Sequence, residues 1–113
     1  MRVIARSTLT KFLETLSGNK ERLAVKAALD AWFHETERAH WRTSADIRKA
    51  YAAVSIVDRE RAVFNIKGND YRLVTAIDYR RKTVFIKWLG PHSQYDKIDV
   101  RTVRYGDQAY QKR

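Results

Sequence analysis

Apolar and polar positions along this chain follow two different periods. In its first third the apolar residues recur every three or four positions. Leu9, Phe12, Leu13 and Leu16 form an i, i+3, i+4, i+7 set, and Val25, Leu29, Trp32 and Phe33 continue in the same way. That spacing lines each set along one side of an α-helix. Ser7 is placed to cap the first helix, Gly18-Asn19 breaks it, and the second runs over about residues 20–38. Two helices joined by so short a break predict a helical hairpin. Before them, Val3-Ile4-Ala5 reads as a short strand. After them, Ser44 is placed to cap a short helix through Ile47 and Tyr51.

Beyond residue 60 the period falls to two. Ala62, Phe64 and Ile66 alternate with Val63, Asn65 and Lys67, which predicts a strand over 61–67. Gly68-Asn69 follows as a tight turn, since both residues tolerate positive φ. A second strand over 71–79 has Leu73, Val74, Ala76 and Ile77 on both faces and is therefore expected to be central. The basic turn Arg80-Arg81-Lys82 leads to a third strand over 83–89, ended by Gly90-Pro91. Ser93 with Asp96 three residues on has the form of a capping box for a short last helix. The predicted fold class is α+β, an N-terminal strand and helical hairpin packed on a twisted antiparallel sheet.

Composition narrows the class. A chain of 113 residues with 44% hydrophobic positions suits a single domain over 1–113. Residues 102–113 are polar, end in Gln-Lys-Arg, and are expected to form a flexible basic tail. The absence of cysteine excludes a disulfide scaffold, a thiolate metal site and a cysteine nucleophile. No long apolar run follows the first residues and none could span a bilayer. No secretory signal and no membrane contact are expected, and the localisation expected is cytoplasmic.

Charge changes the picture more. The net charge is +10, and it is uneven: residues 1–58 carry 10 basic and 7 acidic side chains, residues 59–113 carry 13 and 6. The second half is therefore the part expected to face a polyanion, the alternative being a basic surface that only keeps the domain soluble. No metal site is expected, because His34 and His40 are six residues apart rather than the four that a helical pair of ligands needs. No cofactor is expected, and there is neither a nucleophile elbow nor a glycine-rich phosphate loop. What remains clusters on the strands and the last turn: Asn65 and Lys67, Asn69, Tyr71 and Arg72, Lys87, then His92 and Tyr95 with Asp96. Lys and Arg answer phosphate charge, while His and Tyr can move protons or stack on bases. Cleavage of RNA by its own 2′-hydroxyl needs one proton taken, one given, and charge stabilised on the phosphorane.

Two motifs add a resemblance. Phe64-Asn65-Ile66-Lys67-Gly68-Asn69-Asp70-Tyr71-Arg72, and then His92-Ser93-Gln94-Tyr95-Asp96, resemble the strand hairpin and the terminal turn of HigB-type toxins. These toxins are RelE-like members of bacterial toxin–antitoxin modules, and the two motifs occur in the family's order. The resemblance implies a RelE-like fold and a ribosome-dependent mRNA endoribonuclease. The implied partners are mRNA, the ribosome and a HigA-type helix-turn-helix antitoxin, with DNA reached only through that antitoxin. By position, Arg72 takes the role of holding the scissile phosphate and His92 that of proton transfer. Tyr95 activates the nucleophile or stacks a base. Asn65, Lys67, Asn69, Tyr71 and Lys87 are the candidate RNA-binding residues.

The rival readings are a non-catalytic RNA- or ribosome-binding module with the same basic sheet and a DNA-binding domain. The second is disfavoured because no helix pairs clustered Arg and Lys with a recognition-helix turn. An acidic antitoxin is expected across Lys67, Arg72, Arg80, Arg81 and Lys87. The alternative is docking on the helices around Leu13, Val25 and Trp32.

Overall fold

The computed structural model describes residues 1–104. Strand β1 (Arg2–Ile4) is followed by helices α1 (Arg6–Thr15), α2 (Arg22–Arg38) and α3 (Ser44–Ala50). Strands β2 (Ser55–Ile56), β3 (Arg61–Ile66), β4 (Tyr71–Asp78) and β5 (Thr83–Pro91) come next, and α4 (His92–Tyr95) closes the set. The fold class is α+β, as the periodicities predict. The sheet is mixed, however, with order β1-β5-β4-β3-β2: β3, β4 and β5 form the expected antiparallel meander, while β1 joins β5 in parallel. Strand β2 was not predicted; two residues are too few to show a period.

The helix starts are set by backbone geometry and tertiary contacts rather than by the serines. Ala5 takes a left-handed conformation (φ 70°) and its carbonyl accepts the Thr8 N–H at 2.9 Å, so α1 begins ahead of Ser7. Thr43, not Ser44, is the N-cap position of α3. The Asp46 carboxylate accepts the Arg42 N–H at 2.9 Å to close that turn, which holds its pKa below the usual carboxylate range. At α4 the cap position is Pro91 and Ser93 makes no capping bond. Instead the His92 N–H donates to the Asp70 carbonyl at 2.8 Å.

Each face of the sheet buries its own cluster. On the helix side, Leu9 and Phe12 of α1 and Val25, Leu29, Trp32 and Phe33 of α2 pack with Phe64, Leu73, Val84 and Ile86. Phe64 anchors this side, with ring centroids of Trp32, Trp41 and Tyr51 at 5.4, 6.0 and 5.1 Å. Such pairs contribute about 0.5–1.5 kcal/mol each beyond area burial. On the other side, Val63, Val74 and Trp88 are covered by Val103, with Ile98 and Val100 beside it. The Arg61 guanidinium fixes this covering strap by donating to the carbonyls of Val100 (2.9 Å) and Val103 (2.8 Å). The expected tail is therefore packed at Val103; residues 105–113 lie outside the described residues.

One irregularity decides what the strap side of the sheet presents. Val74 pairs with Trp88 but Thr75 pairs with Ile86, so Lys87 is an extra residue in β5. Residues two apart on a strand normally share a face. The bulge breaks that rule and sends Ile86 to the helix side and Trp88 to the strap side. Among the described residues, no helix is long and apolar enough to cross a membrane.

Candidate functional site

Three strands meet where the β3–β4 hairpin reaches the end of β5. Asn65 pairs with Arg72, and Arg72 pairs with Gly90. Strand alternation puts Asn65 and Arg72 on the strap side with Val63 and Val74. The loop between β3 and β4 has four residues, and its left-handed positions are Lys67 (φ 53°) and Gly68 (φ 64°) rather than Gly68 and Asn69. The shift follows from register: β3 ends at Ile66, which pairs with Tyr71, so the turn begins one residue earlier.

Arg72 is the hub of the site. Its Nη1 donates to the Asn69 carbonyl at 2.9 Å, which ties the guanidinium to the loop. Its Nη2 lies 3.3 Å from His92 Nδ1, and its guanidinium carbon stands 5.9 Å from the centroid of the Tyr95 ring. An arginine only donates, so a hydrogen bond here requires Nδ1 to be the acceptor, the arrangement of a neutral imidazole with its N–H at Nε2. Nε2 lies 3.9 Å from Asp96 Oδ2. Asn65 Nδ2 donates to Asn69 Oδ1 at 3.2 Å along the same edge. Arg72 and Tyr95 are partly buried while His92 is exposed, so the cluster opens to solvent.

Tyr95 is held as a phenol. Burial, the largest influence, and the nearby Asp96 raise its pKa above the ordinary tyrosine value, and Arg72 only partly opposes them. As a phenol it can donate a hydrogen bond or stack on a base.

The structure brings Asn65, Asn69, Arg72, His92 and Tyr95 together and leaves three predicted residues apart. Tyr71 follows the alternation to the opposite face. It is 6% exposed, its hydroxyl donates to Glu21 Oε1 at 2.8 Å, and its ring meets Phe12 edge-on at 5.7 Å. It is a core residue, and burial followed by the Glu21 bond pushes its pKa up to about 12. Lys67 remains on the hairpin, but its ammonium is paired with Asp70 at 2.9 Å, and that hydrogen bond raises its pKa. Lys87 sits in the bulge, three residues before Gly90, with its ammonium 5.5 Å from the Phe85 ring centroid.

Sequence reasoning missed the supports. Trp88 lies fully buried beneath the site, its ring 6.4 Å from that of Tyr95. Glu21 and Arg61 were also missed. A large aromatic two residues before a glycine on one strand was the available signal for Trp88. Nothing local announces the partners of Glu21 and Arg61, which lie 50 and about 40 residues away. Among the described residues, no group of three or more His, Asp or Glu side chains could hold a metal.

The family model HigB_toxin, the RelE-like toxic component of a toxin–antitoxin system, matches residues 25–98. That span covers well over half of the chain. The chain belongs to this toxin family. No curated protein matches it. Membership makes the chain a toxin with an antitoxin partner. The matched span holds Asn65, Asn69, Arg72, His92 and Tyr95 but stops short of Val100 and Val103, so the Arg61 clamp reaches beyond it.

Proposed function

We propose that this toxin is a ribosome-dependent endoribonuclease that cleaves translated mRNA without a metal ion. One observation carries the reading: a guanidinium, an imidazole and a phenol converge on one open patch, with Arg72 3.3 Å from His92 and 5.9 Å from the Tyr95 ring. Those are the groups needed for attack by the RNA 2′-hydroxyl on the adjacent phosphate. The 2′-oxygen bonds to phosphorus, the bond to the 5′-oxygen breaks, and the proton passes from the first oxygen to the second. Cyclic phosphate and 5′-hydroxyl ends result.

In this reading Arg72 stabilises the negative charge that grows on the phosphorane, which is its largest contribution to rate. His92 handles the proton. Tyr95, kept protonated, donates to the phosphate or stacks on a flanking base. Asn65 and Asn69 hold the hairpin edge along which RNA lies. The antitoxin is of HigA type and covers the basic strap side of the sheet. The site of action is the cytoplasm, where ribosomes carry the message. The helix alternative for docking is weakened by burial, since Val25 and Trp32 are interior.

Mapping mRNA ends after brief expression tests the proposal. His92→Ala is expected to lower cleavage by roughly 10²-fold, the usual scale for a general acid or base. Full cleavage by a folded His92→Ala protein would remove the histidine from the chemistry.

A further inference from the structure

The strap side of the sheet carries a second feature that this site does not use. Around Asp78 and Phe85 a cleft of about 880 Å³ opens, lined by Arg59, Glu60, Asp78, Arg80, Phe85 and Lys87 among others. Arg59 and Arg80 are exposed, and the Phe85 ring is half-buried with the Lys87 ammonium 5.5 Å from its centroid. Among the described residues none of Arg59, Arg80 and Lys87 is in an ion pair. Asp78 is already engaged: its carboxylate accepts the Arg81 N–H at 3.0 Å and lies 3.9 Å from the Arg81 Nε.

Three unpaired cations around an accessible aromatic ring suit one ligand chemistry above others. Phosphate satisfies the cations, and a nucleobase covers the ring, which is the pattern by which single strands are held without sequence readout. Position supports it. Phe85 pairs with Ala76, and Gly90 pairs with Arg72. Four residues of β4 therefore separate cleft and site, about 13 Å at the rise of a strand. The bulge turns Lys87 to this face, so β5 runs from the cleft directly into His92.

We propose that this cleft is a second subsite for single-stranded RNA. It takes a nucleotide away from the scissile phosphate, with its base on Phe85 and its phosphate among Lys87, Arg59 and Arg80. The inference rests on the RNA-cleaving reading for its choice of ligand.

Binding of uncleavable 2′-O-methyl RNA tests it, using a dinucleotide and an octanucleotide at two salt concentrations. The wild type should bind the octanucleotide more tightly. An Arg59→Gln/Arg80→Gln protein should lose at least about tenfold for the octanucleotide, with the log–log salt slope reduced by about one. Phe85→Ala should lose about tenfold as well, and so should Phe85→Leu, which keeps an apolar side chain in the packing but no ring for a base and so guards against misfolding. Dinucleotide affinity should not move. Lys26→Gln/Arg38→Gln on the exposed side of α2 removes the same charge and serves as the control.

The proposal is overturned if the wild type gains nothing with length. It is also overturned if the cleft variants lose no more than the control, or if the dinucleotide weakens equally. Silent cleft variants beside His92-dependent cleavage would leave these cations to the antitoxin. Length-dependent binding through the cleft with full cleavage by His92→Ala would instead keep the subsite and refute the catalytic assignment.

Discussion

The Trp88 indole occupies the space that a side chain at Gly90 would need: a Cβ there would stand 2.5 Å from the ring carbon Cη2 and 2.6 Å from Cζ2. Gly90 is also the register partner of Arg72. The contact is with the wall of a fully buried ring rather than with a movable chain end, so neither group can yield cheaply. Gly90→Ala is expected to destabilise the fold by about 1–3 kcal/mol, the scale of overpacking. Cleavage should fall further than stability because Arg72 shifts with the strand. Chemical denaturation of Gly90→Ala, Trp88→Phe and the double variant checks this. The smaller ring should restore part of the loss, giving a coupling between the two positions well away from zero.

Arg72 uses one planar group for two jobs, a bond to the Asn69 carbonyl and a contact with His92. A lysine keeps the charge but cannot do both, having a single ammonium in place of the fork. Arg72→Lys is therefore expected to reduce turnover by about 10²-fold while the melting temperature changes little. Equal losses of activity and of folded protein would reassign Arg72 to a structural role.

How much of this was legible in the sequence depends on whether the cause is local. The stripes of α1 and α2 and the alternation of β3 are local patterns, and both survive in the structure. Tyr71 and Arg72 were grouped as site residues, although neighbours on a strand point to opposite faces. The alternation separates them, and it sends the Tyr71 ring into the core beside Phe12. Other features depend on pairing. Phe85-Ile86-Lys87-Trp88-Leu89 has no visible bulge until Val74 is known to pair with Trp88. The start of α4 comes from a bond between His92 and Asp70, 22 residues apart, which Ser93 could not reveal. Clustering of Arg72 with His92 and Tyr95 was legible only through their two motifs in order, since 20 residues separate the first pair.

Two phenols, Tyr71 buried and Tyr51 partly buried, make stability fall at high pH. Burial and then the bond to Glu21 push Tyr71 up to about 12, and burial and then Glu35 raise Tyr51 as well. A raised pKa means that the native state holds the proton more tightly than the unfolded chain does. Their stabilisation is complete below the ordinary tyrosine value of 10 and is lost as pH rises through about 12. Urea midpoints should therefore drop between about pH 10 and 12. Tyr71→Phe should cost about 1.5–3 kcal/mol at neutral pH, the scale of a hydrogen bond to a charged group. Its alkaline slope should be shallower than that of the wild type. An unchanged slope would mean that Tyr71 does not contribute.

Arg61 holds the covering strap through two carbonyls at 2.9 and 2.8 Å, and the strap seals Val63, Val74 and Trp88 beneath the site. The guanidinium is partly buried and has no carboxylate within salt-bridge distance among the described residues, so these carbonyls are its main partners. Removing it leaves two carbonyls without their donor. Arg61→Met, which keeps the apolar stem, is expected to cost about 1–3 kcal/mol. The opening should be local before it is global, because the strap rests on one small cluster while the helix-side core does not depend on it. Hydrogen exchange discriminates. The Val103 amide, bonded to the Asp99 carbonyl at 2.9 Å, should exchange faster in the variant. The Leu73 and Ile86 amides in the central strands should keep their protection. Uniform acceleration across all three would show that Arg61 supports the whole fold, and unchanged exchange at Val103 would show that the clamp does not hold the strap.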